Sequence, residues 1–145
     1  MSTVQSFLTA EEEREVVAAI AIAEKKTSAE IRIHLEEHCA DEVLDRAAYV
    51  FAQLQMQQTK ARNGVLIYIA VSDRKMCIIG DAGINALVKN DFWDHSLAEL
   101  RSHFKMGAYK TGLITAIHTI SDLMSNHFPY NIADINELSN EISYG

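Results

Sequence analysis

Residues 78–85 read IIGDAGIN: an apolar run stops at Gly80, and Asp81 stands between it and a second glycine, Gly83. Glu30 opens another apolar stretch, and Asp91 follows the segment after Asp81. Carboxylates, with backbone carbonyls and water, are the ligands that hard divalent cations take. Glu30, Asp81 and Asp91 are therefore candidate ligands for calcium or magnesium. Arg62 and Asn63, in ARNG ahead of a third apolar run, would add a guanidinium and an amide, while Gly80 and Gly83 permit close backbone approach. Trp93 could wall a pocket beside them. Each residue also has a plainer role. Asp81 and Asp91 suit helix N-caps, Glu30 could pair with Arg62, and Trp93 could be a core aromatic. Spacing alone leaves both sets of roles open.

Other chemistries lack their residues. GDAGIN has neither the third glycine of a dinucleotide fingerprint nor the Gly-Lys-Ser/Thr of a P-loop. No EF-hand loop and no Gly-x-Ser-x-Gly elbow occurs. His34, His95, His103, His118 and His127 show no zinc spacing, and His38–Cys39 is an isolated pair. Cys77 lies in an apolar run and reads as inert core; one bridge to Cys39 is the only disulfide available.

The elements that must position the candidates follow from periodicity. Thr9 and Glu12 form a capping box, predicting a helix from about residue 10 to the Lys25–Lys26 pair. EIRIHLE, residues 30–36, alternates as a strand with one face less buried. A helix is expected over 41–55. VLIYIAV, residues 65–71, is apolar throughout, as a central strand covered on both faces must be. A polar turn, SDRK, leads to a third strand at 76–80. Helices are expected at 82–88, 91–105 and 109–126, with Pro129 as a stop and 129–145 as a polar, acidic tail. Strands one and two, joined through a helix, should be parallel and right-handed, and strand three should return antiparallel. That topology brings TSAEI, ARNGV and GDAGI to one edge of the sheet. The expected fold is one α/β domain, a three-layer α/β/α sandwich around a small mixed sheet, with its core at about 7–128.

Composition narrows the partners. The 145 residues carry 13 basic and 20 acidic side chains, a net charge of −7, which disfavours nucleic acid and anionic membranes. The longest apolar run of the first helix, VVAAIAIA, is too short to span a bilayer, and the first residues lack a signal-peptide pattern. The expectation is a cytoplasmic chain without a membrane segment.

Taken together, FLTAEEEREVVAAIAIAEKKTSAEIRIHL, RNGVLIYIAVSDRKMCIIGDAGI and GAYKTGLITAIHTI resemble the TPM domain family over about residues 7–128. The family includes thylakoid-lumen proteins of photosystem II repair and exported bacterial proteins. The resemblance implies the same α/β/α sandwich and a divalent-cation site, with calcium first, on loops at the sheet edge. Glu30 falls on a matching position, Asp81 in the matching loop, and Asp91 near an acidic position of the family. Many relatives carry Gly-Tyr-Gly where this chain has Gly80–Asp81–Ala82–Gly83, and many have a signal peptide and a membrane segment. The expected function is a cation-binding module for a protein or small-molecule partner. The alternative is a metal-assisted phosphatase in which Arg62 steadies phosphoryl charge and Asp81 or a metal-bound water acts as nucleophile or base. A scaffold with no bound ion is the third reading.

Overall fold

The computed structural model describes residues 4–89, 91–131 and 138–145. The first helix, α1 (Ala10–Ala23), starts on the expected capping box: the Thr9 N–H donates to Glu12 Oε1 at 2.9 Å, and the Glu12 N–H to Thr9 Oγ1 at 3.1 Å. Strand β1 (Glu30–Glu36) follows, then α2 (Val43–Gln53), β2 (Gly64–Ala70) and β3 (Lys75–Gly80). Short α3 (Ala82–Asn85), α4 (Asp94–Lys105) and α5 (Tyr109–His127) come next. A two-residue strand, β4 (Ser143–Tyr144), lies in the stretch read as a polar tail, whose residues 132–137 are outside the described ones.

The strand order is β3-β2-β1-β4. β1 and β2 run parallel, from Glu30 opposite Gly64 to Glu36 opposite Ala70, while β2 and β3 are antiparallel, with Val65 opposite Gly80. Both pairings match the expected topology. The fourth strand adds parallel to β1, with His34 opposite Ser143. All seven residues of β2 are buried, as its unbroken apolar run requires.

Each sheet face has its own core. Ile31, Ile33, Leu35, Val65, Ile67 and Ile69 face the larger one, built with α1, α4 and α5 through Val16, Ile20, Leu100, Leu113, Ile117 and Ile120. Leu66, Tyr68 and Cys77 face the smaller one, under Ala47, Val50 and Phe51 of α2. The result is the expected three-layer sandwich, with a thinner layer on the α2 side.

The polar face of β1 is the less buried one, as expected: Arg32 is half-buried, and Glu30, His34 and Glu36 keep a little exposure where Ile31, Ile33 and Leu35 keep none. One expectation needs correction. The fourth helix begins at Asp94 with Trp93 at its N-cap, so Asp91 does not cap it and lies in the preceding turn. Cys39 and Cys77 are both buried and free. Burial pushes the Cys77 thiol up to about 12, in keeping with an inert core role. No helix among the described residues is long and apolar enough to cross a membrane.

Candidate functional site

The three loops do converge, and Gly64 is their meeting point. Glu30 pairs with Gly64 from β1, and on the other side the Asp81 N–H donates to the Gly64 carbonyl at 2.9 Å. The Glu30 N–H donates to the Asn63 carbonyl at 3.2 Å, and the Asn63 side-chain amide to the Ser28 carbonyl at 3.1 Å. The Gly83 N–H donates to the Arg62 carbonyl at 2.9 Å. Glycine is required at 83: a Cβ there would lie 2.1 Å from the Ala61 carbonyl oxygen. Gly83→Ala is therefore expected to lower stability by about 1–3 kcal/mol, seen as an earlier urea midpoint with an unchanged slope.

Asp81 is held by Arg62, not left open. Arg62 Nε donates to Oδ2 at 2.7 Å and Nη2 to Oδ1 at 2.8 Å, a two-pronged fit of guanidinium to carboxylate. The Ala82 N–H adds a third bond to Oδ1 at 2.7 Å, so Asp81 also caps α3. The carboxylate is 6% exposed, whereas the Arg62 side chain is half-exposed and its backbone is left-handed, at φ 50°. The ion pair expected between Glu30 and Arg62 is thus made by Asp81.

Glu30 is buried, and its Oε1 accepts the Leu138 N–H at 2.9 Å. A second carboxylate, Glu24, lies beside it and was not among the residues singled out from the sequence. Glu24 Oε2 accepts the Ile31 N–H at 3.3 Å. Burial, then the Glu30 charge, push the Glu24 carboxyl up to about 8 against the lowering effect of that backbone bond. The buried Oδ1 of Asn63 has no hydrogen-bond partner among the described residues.

The remaining candidates stand apart. Asp91 is exposed on its turn, and Trp93 is packed in the larger core, edge-on to Phe92 with ring centroids 4.8 Å apart. Gly80 packs against Ile84. Among the described residues, no group of three histidine, cysteine, aspartate or glutamate side chains is placed to hold one ion. Glu30, Asp81 and Asp91 therefore do not assemble as a trio: Asp91 points from a turn three residues ahead of α4, and the Asp81 oxygens are taken.

A second polar cluster, also unforeseen, lies on the opposite end of β1. Glu36 accepts from Arg46 Nε at 2.8 Å and Nη2 at 2.9 Å, from the Tyr68 hydroxyl, and shares a 3.0 Å bond with His34 Nε2. His34 Nδ1 meets the Ser143 hydroxyl of β4 at 2.8 Å. Burial pushes Glu36 up, but the bonds from Arg46, Tyr68 and His34 outweigh it and bring the carboxyl down to about 2. Every oxygen is engaged, so the cluster reads as a structural fastening of α2 and β4 to the sheet.

A family model described as TPM domain matches residues 2–123. No curated protein matches the chain. Among solved structures, the NMR structure of BA42 protein from the psychrophilic bacterium Bizionia argentinensis is 48% identical, with a TM-score of 0.92 over 100% of both chains. An N-terminal domain from P. gingivalis shares the fold at 14% identity and a TM-score of 0.70, over 86% of this chain and 82% of that one. The N-terminal domain of cg2496 protein from Corynebacterium glutamicum does so at 9% identity and 0.64, over 86% and 78%.

Proposed function

Because the chain belongs to the TPM domain family, we propose that it is a divalent-cation-binding module that serves a protein or small-molecule partner. Calcium is the first choice of ion and magnesium the second. One observation carries the reading: two neighbouring carboxylates, Glu24 and Glu30, lie at the loop edge where Asn63 keeps a buried oxygen without a partner among the described residues. These oxygens suit a hard cation, and calcium accepts irregular oxygen sets more readily than magnesium does. Glu30 and Glu24 would hold the ion with the Asn63 Oδ1. Asp81 would join only by exchanging its Arg62 partner, and Asp91 would not take part. The ion would supply the positive charge that lets both glutamates ionise side by side. The reading keeps the cytoplasmic setting expected from the sequence.

The phosphatase alternative has less support. Its phosphoryl-steadying cation, Arg62, is already spent on Asp81.

Adding calcium at about 100 times its dissociation constant is expected to raise stability by about 2.7 kcal/mol, seen as a higher melting temperature. In a weak buffer near neutral pH it should also release protons, because Glu24 holds one there without the ion. A melting temperature unmoved by millimolar calcium and magnesium, with no proton release, would rule the site out. An equal response from Glu30→Gln would place the ion elsewhere.

A further inference from the structure

At the opposite end of the sheet from Gly64 lies a cavity of about 430 Å³ that none of the preceding chemistry uses. It opens where β2 ends, the hairpin turns and α4 hands over to α5. Its floor is apolar: Ile69 and Met76 come from the sheet, and both are nearly fully buried. One wall is a group of three rings in mutual contact. Phe7 lies 5.6 Å from Phe104 and 4.4 Å from Tyr109, and Phe104 lies 5.1 Å from Tyr109, centroid to centroid.

The rim has the opposite character. Arg74, Arg101 and Lys105 line it, and among the described residues no aspartate or glutamate does. In a chain with 20 acidic and 13 basic residues, three cations without a single acid is a marked local reversal of charge. None of the three makes an ion pair among the described residues, unlike Arg46, Arg62 and Lys110. The hairpin also keeps its own acid away: Asp73 accepts the Cys39 N–H at 2.7 Å and shares a 2.9 Å bond with His38. Arg74 is left at the turn, at φ 55°. Finally, α5 starts beside the cavity without a side-chain cap, and its positive dipole end offsets the negative C-terminal end of α4 that meets it there.

We propose that this cavity binds an amphipathic carboxylate, with the acid group on Arg74, Arg101 and Lys105 and an aliphatic tail on Ile69, Met76 and the three rings. The volume falls in the range of small-molecule sites, and the mixture of an apolar floor with a few convergent polar groups is what such sites share. Guanidinium groups suit a carboxylate geometrically. The tail supplies the apolar contact that a bare anion lacks. The site is independent of the proposed cation edge, since β2 and β3 separate them along their length.

The test is a calorimetric titration of the full chain with sodium octanoate, octanol and sodium acetate, with amide chemical shifts followed in parallel. Octanoate should bind, shifting the amides of Ile69, Met76 and Phe104, and the other two should bind at least about tenfold more weakly. The double variant Arg101→Gln/Lys105→Gln changes exposed side chains, should melt as the parent does, and should lose about tenfold or more in octanoate affinity. Octanol binding as well as octanoate would remove the cations from the site, and acetate binding equally would remove the apolar floor. Absence of octanoate binding, shifts confined to other surfaces, or an unchanged affinity in the double variant would each overturn the proposal.

Discussion

Replacing Glu36 by alanine is expected to destabilise the protein by about 3–5 kcal/mol, a large share of what holds a domain of this size together. The carboxylate is 4% exposed and is the common acceptor for Arg46, Tyr68 and His34. Without it, the Tyr68 hydroxyl loses its acceptor in the smaller core, and unsatisfied buried groups cost more than a lost bond gains. Arg46, partly exposed, can turn to water, so the loss concentrates on the tyrosine and the histidine. Urea unfolding checks the magnitude. Glu36→Gln keeps the shape and one acceptor oxygen, and should fall between the alanine variant and the parent. A loss below about 1 kcal/mol for the alanine variant would mean that the cluster contributes no net stability.

The second large effect concerns pH. The folded Glu24 carboxyl titrates at about 8, above the ordinary 4.5. Between those values the folded protein holds a proton that the unfolded chain has released. Stability from this group is therefore complete below about pH 4.5, falls as pH rises through the window, and is level above about 8. Glu36 works in the opposite sense: its folded value of about 2 lies below 4.5, so its contribution is complete above 4.5 and is lost as pH falls towards 2. The combined contribution of these two groups is greatest near the crossover, in the region of pH 4.5. Glu24→Gln should remove the alkaline decline and leave the variant more stable than the parent at pH 8, by on the order of 3 kcal/mol after allowance for partial exposure. Guanidine unfolding at pH 5 and pH 8 measures the alkaline arm, and a further measurement at about pH 3 samples the acid one. A parent-like decline in the glutamine variant would show that another group causes it. The same variant should respond less to calcium, which links the pH effect to the proposed cation edge.

The convergence of the loops was legible because it depends on general rules. A right-handed parallel crossover followed by a tight hairpin can only bring the residues around 30, 63 and 81 to one edge, and they meet at Gly64. Side-chain direction was not legible. Spacing suggested Glu30 as the partner of Arg62, and the pair is made instead by Asp81, a carboxylate that also caps α3. Glu24 drew no notice in the sequence because nothing local tells that β1 passes beside it. The alternation of EIRIHLE located β1 and its less buried face, but not that α2 and Ser143 cover much of that face or that its charges satisfy one another. The basic rim of the cavity was equally hidden, since Arg74 and Arg101 meet only in three dimensions.

The β4 pairing has a consequence for the order in which the chain acquires its contacts. His34 and Ser143 are 109 residues apart, so during synthesis β1 emerges long before the strand that covers its outer edge. Pairings so distant in sequence form slowly, and an open edge is a template for any other extended chain. The nascent protein thus passes through a stage with its sheet built and one side unlatched. Variants that weaken the Ser143 latch should therefore reveal themselves first as aggregates during expression, before any change in the melting of the folded protein.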